Sequence, residues 1–266
     1  MGKNKLRKFD EMTRMDCVMQ YPWAVLQSHG FPLRGHWHSE YFKNSNPIIV
    51  ELGCGKGEYT VALAKANPDS NFIGIDIKGA RMWSGAKEAQ TLGLTNVAFL
   101  RTDIELLTSF FAPGELAEIW ITFPDPQMKK VRKRLTSTRF LALYRDVLNP
   151  GGLVNLKTDS PFLYTYTDLM ARHNRLHITD QSANIDATHP GHPVLSIRTH
   201  YEKQWLARGL SSKFISMEAH SGAEQLEEPD EEIPYDTYRS YSRGYIQMPD
   251  LMAASEEQNP HKPTDQ

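Results

Sequence analysis

Between residues 47 and 171, short apolar runs alternate with helix-length segments, and this alternation leaves the chain one fold class. The run Ile48-Ile49-Val50-Glu51-Leu52 is rich in β-branched residues and ends in a glycine cluster, so it reads as a buried parallel strand. A helix follows through 61–66 and is stopped by Asn67-Pro68. Residues 71–76 read as a second strand, 79–93 as a helix, 97–100 as a third strand and 118–123 as a fourth. Phe140, Leu141, Tyr144, Val147 and Leu148 recur at helical spacing before Asn149-Pro150-Gly151-Gly152 breaks the chain. Residues 153–156 read as a fifth strand, and a helix runs from about 161 to 171. Strands separated by helices form βαβ units. The expected architecture is therefore α/β and Rossmann-like: a mostly parallel sheet, right-handed crossovers and helices on both faces.

Around this central domain, 47–217, lie two segments of different character. Residues 1–46 scatter aromatics among polar residues with no clean period, and are expected to pack on the domain as an arm. Residues 218–266 form an acidic extension, expected to be partly disordered or loosely docked. The net charge of −2 conceals this split. From Met217 onward twelve acidic residues face Arg239, Arg243 and Lys262, a local balance of −9, which leaves +7 on the preceding residues. A positive body suits a polyanionic partner. Tyr235, Tyr238, Tyr241 and Tyr245, interleaved with Arg239 and Arg243, form the part of the extension suited to docking on the body or to touching nucleic acid.

Two cysteines, Cys17 and Cys54, cannot make a disulfide framework or a four-cysteine zinc site. His36-Trp37-His38 has no evident third ligand, so no metal is expected. No apolar run approaches the roughly 20 residues needed to span a bilayer. The basic N-terminus lacks the apolar stretch of a secretory signal. No membrane association is expected, and a cytoplasmic location is. Monomer and homodimer both remain open.

In open α/β sheets ligands bind beyond the carboxyl ends of the strands. Glu51, Asp76, Asp103, Asp125 and Asp159 all lie at or just after such ends. The segment Glu51-Leu52-Gly53-Cys54-Gly55-Lys56-Gly57 places glycines at alternate positions directly after the first strand. Gly53 and Gly55 let the backbone turn tightly and approach a ligand with no Cβ in the way. A dinucleotide fingerprint would need glycine at position 58, which is Glu58, and a Walker loop is absent too. An anionic Glu58 would also be a poor neighbour for pyrophosphate. The pattern therefore favours a cofactor without phosphates, and S-adenosylmethionine is one. Asp76 is then placed to accept the ribose hydroxyls, Asp103 to accept the adenine amino group, and Glu51 to lie near the cationic amino end.

Phe123-Pro124-Asp125-Pro126-Gln127-Met128-Lys129-Lys130 follows the fourth strand. The two prolines restrict the backbone around one acid and so hold Asp125 in a defined place. Beyond them Lys129, Lys130, Arg132, Lys133, Arg134 and Arg139 follow with no acidic residue between. A basic run beside the cofactor mouth is the electrostatic footprint of a phosphate backbone. Lys130, Arg132, Lys133 and Arg134 are the candidate contacts to a nucleic-acid phosphate backbone.

Glu51 to Gly57, the Phe123-Pro124-Asp125-Pro126 loop with its basic extension, Leu156-Lys157-Thr158-Asp159, and Thr199-His200-Tyr201-Glu202 together resemble the tRNA (guanine-N7)-methyltransferase family, whose members have the class I methyltransferase sheet. The resemblance covers roughly residues 48–217. It implies that Glu51, Asp76, Asp103 and Asp125 contact S-adenosylmethionine or line its pocket. It also implies that Lys129, Asp159, Thr199, His200, Tyr201 and Glu202 bind substrate, and that the target is guanosine 46 in the tRNA variable loop. Where the family commonly has Trp-Pro after the second proline, this chain has Gln127-Met128. The long C-terminal extension lies outside the common pattern.

Guanine N7 carries an in-plane lone pair and needs no deprotonation, so the reaction requires no general base. Alignment and carboxylates that stabilise charge developing on the purine are the protein's contributions. Asp125 is the first choice for that role and Asp159 the second. Both can also hydrogen-bond the N1–H and N2 edge that distinguishes guanine from adenine. His189 and His192 fall in a loop placed to cover the site. A same-fold methyltransferase of protein or small molecules would leave the basic run unexplained. A non-catalytic RNA-binding subunit would leave the cofactor residues unexplained, and a nicotinamide dehydrogenase is disfavoured by Glu58.

Overall fold

The computed structural model describes residues 3–237, with side chains from Leu6 onward. Its centre is an eight-stranded sheet in the order β1-β4-β3-β2-β5-β6-β8-β7. The strands are β1 (Val18–Gln20), β2 (Ile48–Leu52), β3 (Asn71–Ile75), β4 (Val97–Arg101), β5 (Leu116–Thr122), β6 (Leu148–Thr158), β7 (Ile178–Ser182) and β8 (Lys213–Glu218). From β1 across to β6 every pairing is parallel. Strand β8 inserts antiparallel to both β6 and β7. The helices are α1 (Lys3–Met12), α2 (Trp23–His29), α3 (Glu58–Ala66), α4 (Gly79–Thr91), α5 (Leu107–Phe110), α6 (Thr138–Arg145), α7 (Pro161–His173), α8 (Ile185–Thr188) and α9 (His200–Leu206).

Successive strand residues point to opposite faces, and here both faces are dry, as a parallel sheet requires. Val50, Leu52, Ile73, Ile75, Leu100, Ile119, Ile121 and Leu156 join one core cluster with Phe110, Leu141, Tyr144, Tyr166 and Met170. Phe72, Val97, Phe99, Trp120 and Phe214 join the other, with Met12, Tyr59, Val61, Met82 and Ala86. Gly57 shows how tightly α3 and α4 close on the second face. It caps α3 at φ 74°, and a Cβ there would lie 2.6 Å from the Phe99 ring and 3.2 Å from the Gly85 Cα.

The arm is part of the sheet as well as packed on it. Val18, Met19 and Gln20 pair with Phe99, Leu100 and Arg101; three residues are too few to show a period in the sequence. Glu115 fastens the arm by accepting from the N–H groups of Gly35 (2.9 Å) and Trp37 (3.2 Å). The Asn149-Pro150-Gly151-Gly152 segment, expected to separate helix from strand, lies inside β6. There Leu116 pairs with Leu148 but Glu118 with Leu153, so the extra residues bulge from the ladder. Of the acidic extension, residues 219–237 are described and lie against the body. Tyr238, Arg239, Tyr241, Arg243 and Tyr245 fall outside the described residues.

The chain starts its βαβ units at the central strand β2, walks outward to β4, then crosses to β5 on the other side. The order reverses at β2, and the crevice beyond its carboxyl end is where a ligand fits such a sheet.

Candidate active site

All five strand-end acids lie along this edge. Leu52 is in register with Ile75 and Ile121, Ile75 with Leu100, and Thr122 with Lys157. Strands spaced ~4.8 Å apart therefore carry Asp103, Asp76, Asp125 and Asp159 in a row beyond one rim, with Glu51 just inside it at the end of β2.

On the cofactor side, Gly53 has φ 74°, is exposed, and has nothing within 4 Å of where a Cβ would stand. At Gly55 such an atom would meet only the Gly53 carbonyl, at 3.9 Å. The backbone therefore lies bare at the crevice, which fits close approach by a ligand. Asp76 fixes the turn, accepting from the Gly55 N–H (2.9 Å) on one oxygen and from the Lys78 N–H (2.7 Å) on the other. Its remaining lone pairs can take hydroxyl donors. Asp103 is exposed and, with Ile77, Trp23 and Leu106, lines a cleft of about 340 Å³ between the β3 and β4 ends and the arm.

Glu51 is buried beneath the turn and accepts from the hydroxyls of Thr60 and Thr122. Burial pushes its carboxyl up to about 7 even though both hydroxyls favour the ionised form. Cys54, buried in the same turn, has its thiol pushed well above the usual range by burial.

On the substrate side, Asp125 stands exposed at the tip of a loop with left-handed backbone at both ends, Phe123 (φ 47°) and Gln127 (φ 48°). Non-glycine residues adopt this region only when their surroundings over-determine it. The Phe123 N–H extends the β5–β6 ladder by donating to the Lys157 carbonyl (2.8 Å), and the Gln127 N–H donates to the Asp125 carboxylate (3.1 Å). Lys129, Lys130, Arg132 and Lys133 follow, all exposed.

Arg134 departs from the expectation of an RNA-facing residue. It is 6% exposed and grips the loop from within, donating to the carbonyls of Gln127 (3.2 Å) and Met128 (2.7 Å). Its guanidinium lies over the rings of Phe162 (4.8 Å) and Tyr166 (4.3 Å). Nothing in a run of cations distinguishes the member that turns inward.

The segment 199–202 is brought to the mouth by α9. Its first N–H, from His200, donates to Glu58 beside the glycine turn (2.7 Å), and the Tyr201 ring lies 5.8 Å from Phe123. Thr199 caps the helix by accepting from the Glu202 N–H (3.1 Å). Glu202, expected to touch substrate, is fully buried, its oxygens taken by Lys157 (2.9 Å), Ser212 (2.7 Å) and Arg198. It anchors the segment and does not face the crevice. Lys157 also donates to the Ile197 carbonyl (2.7 Å); burial lowers its ammonium to about 8, with Glu202 pulling the other way. Asp159 is buried at the β6 end beside Lys213, whose ammonium burial pulls down while Asp159 and Asp236 oppose the shift.

Thr60, Thr122 and Arg198 were not singled out from the sequence, and Lys157 entered only as part of the Leu156–Asp159 motif, with no role of its own. A lysine in the β6 strand directly after Leu153-Val154-Asn155-Leu156 and the Arg198–Glu202 spacing of four were the available signals. His189 hydrogen-bonds Asp180 (3.0 Å) and His192 accepts from the Val194 N–H (3.2 Å), so both brace the 185–198 loop. Among the described residues no group of three histidines, cysteines or acids is placed to hold a metal. Nor is any described helix long and apolar enough to cross a membrane.

Residues 45–214 match the family described as "Putative methyltransferase". Among solved structures, the 16S rRNA methyltransferase KamB shares the fold with a TM-score of 0.52 at 15% identity, over 75% of this chain and 94% of its own. The sheet order and its bare glycine turn are those of the class I methyltransferase fold. A protein of Porphyromonas gingivalis named tRNA (guanine-N(7)-)-methyltransferase is 61% identical over 231 residues, 85% of this chain and 94% of that one. One of the same name from Bacteroides fragilis is 52% identical over 243 residues, 91% and 96% of the two chains. The chain belongs to the tRNA (guanine-N7)-methyltransferase family.

Proposed function

We infer that this chain transfers a methyl group from S-adenosylmethionine to N7 of guanine in tRNA, and we propose guanosine 46 of the variable loop as the target. The observation that carries the reading is the juxtaposition at one sheet rim of the bare Gly53–Gly55 backbone, the exposed Asp125 and the exposed basic turn 129–133. The bound cofactor supplies an electrophilic methyl carbon on a sulfonium. The chain's residues then have separate tasks. Asp76 takes the ribose hydroxyls, Asp103 the adenine amino group in the cleft beside Ile77, and Glu51 lies under the amino acid end.

Asp125, held by its two prolines and its strained flanks, stabilises positive charge as it moves onto the purine. Its loop and Asp159 address the guanine edge. Lys129 reaches the nucleotide, while Lys130, Arg132 and Lys133 contact the phosphates that give such binding its salt dependence. Arg134, Thr199 and Glu202 act on the framework of the site, whereas His200 and Tyr201 stay at its mouth. The loop has no aromatic at position 127. A base splayed out of its loop, the usual form of RNA recognition, would stack on Tyr201 or Phe123 in its place.

The test is methylation of unmodified tRNA with labelled S-adenosylmethionine, with the product nucleoside identified and mapped. 7-Methylguanosine at position 46 is expected, and a tRNA carrying adenosine there takes up no label. Label in another nucleoside, or no transfer to tRNA, refutes the activity; 7-methylguanosine elsewhere refutes only the position.

A further inference from the structure

The extension after β8 has no part in the site as described, yet specific contacts hold it to the body. Arg145 donates to the carbonyls of Ala219 (2.7 Å), Ser221 (3.1 Å) and Glu224 (3.0 Å). Asn174 exchanges two hydrogen bonds with the Glu227 backbone, both 2.8 Å. Glu228 then accepts from the Thr138 N–H (3.0 Å) and hydroxyl (2.6 Å), and from the Tyr166 hydroxyl (2.5 Å).

The described chain ends its course beside the Asp125 loop. Asp236 is 8% exposed, and its carboxylate accepts from the Ser160 hydroxyl (2.5 Å) and the Phe162 N–H (3.0 Å) at the start of α7. Its own N–H points to the Met128 sulfur at 3.2 Å. Tyr235 stands edge-on to Phe162, with centroids 5.6 Å apart at 81°.

These contacts converge on one object. Phe162 and Tyr166 are the two rings beneath Arg134, and Arg134 holds the carbonyls of Gln127 and Met128. Glu228 bonds one of those rings, Asp236 bonds the backbone of the other, and Asp236 also touches Met128 directly. Neither Gln127 nor Met128 restricts its own backbone, and Gln127 sits in the left-handed region. A loop of that kind keeps one shape only if its neighbours impose it.

We propose that residues 226–237 are a strap that positions the Asp125 loop for methyl transfer, with Asp236 as the positioning residue. Asp236 touches neither reacting group; it acts through Met128 and through the α7 rings that seat Arg134. Reactions between aligned groups lose rate steeply when one is displaced by a fraction of a bond length, even by a change remote from the chemistry. The cofactor turn, by contrast, is built from β2, β3 and α3, none of which the strap contacts through these bonds.

The proposal rests on the tRNA methylation reading, and wild-type enzyme is the control that separates the two. The measurements are single-turnover methylation of saturating tRNA, cofactor affinity by calorimetry, and thermal midpoint. Asp236→Ala is expected to lower the single-turnover rate by about 10- to 100-fold while the cofactor Kd stays within about twofold. Asp236→Asn, which keeps shape and one acceptor oxygen, restores most of the rate. Met128→Leu, of similar volume but without the sulfur acceptor, slows the reaction and is non-additive with Asp236→Ala. Glu227→Ala, on the same strap but facing surface His173, leaves the rate unchanged. If wild type methylates tRNA and folded Asp236→Ala does so equally fast, the strap has no positioning role. A rate loss that merely tracks the unfolded fraction overturns it as well, since that is a stability effect only. Absence of methylation by wild type removes the functional reading and this inference with it.

Discussion

Replacing Glu51 by glutamine removes the ionisation of a buried carboxyl whose folded pKa is about 7 against an ordinary 4.5. The cause is burial, and Thr60 and Thr122 offset it in part. A raised carboxyl pKa means the native state holds the proton that the unfolded chain has released. Stability from this group is therefore fully present below pH 4.5 and is lost as pH rises towards the folded value. Each decade of pKa difference is worth ~1.36 kcal/mol, so the full difference amounts to roughly 3 kcal/mol, most of which falls between pH 5 and pH 8. Denaturant unfolding of wild type and Glu51→Gln across that range should show wild type losing about 2–3 kcal/mol relative to the variant, other titrations cancelling in the difference. If the cofactor's ammonium lies near Glu51, it favours the ionised form. Wild-type affinity should then be up to about tenfold weaker at pH 6 than at pH 8, and that of Glu51→Gln much flatter. A gap between the two proteins that does not change with pH would refute the placement of an uncompensated carboxyl under the turn.

Asp125→Asn keeps the acceptor for the Gln127 N–H but deletes the charge, and should lower kcat by roughly 10²–10³ in single-turnover assays. Full activity would mean that Asp125 only shapes the loop. Changing Lys130, Arg132 and Lys133 together to glutamine should raise the tRNA KM and reduce the salt slope of binding by about 2, with cofactor affinity unmoved; an unchanged slope would make the turn a solvated face. Glu202→Gln leaves Lys157 buried beside Arg198 without its countercharge, and should destabilise the fold by about 3–5 kcal/mol in denaturant titrations. A loss under about 1 kcal/mol would show that water or another acceptor replaces it.

The short apolar runs and their glycine and proline stops were enough to place β2 to β6 and the helices α3, α4 and α6, because a strand buried on both faces is apolar throughout and stands out from its flanks. The five acids at strand ends could be read for the same reason: once the strands are parallel, their ends share one rim. Contacts between distant residues carry no such local mark. Val18–Gln20 became an edge strand only because the exposed side of β4 offered an unpaired ladder. Strand β8 runs antiparallel because the chain returns from α9 at the end of the sheet where β6 finishes.

Burial likewise sorted residues that composition treats as equivalent. Arg134 went inward where two aromatic rings from α7 gave it a seat, while Lys130, Arg132 and Lys133 stayed outside. Glu202 became an anchor because Lys157, the one charged residue of β6 and fully buried, required a countercharge within reach. Asp236, 111 residues after Asp125 and in a segment that reads as acidic tail, was drawn to the α7 N-terminus by the Ser160 hydroxyl and the Phe162 N–H. Local chemistry thus names the groups able to act at the rim, whereas the packing of distant segments settles which of them face substrate and which hold the others in place.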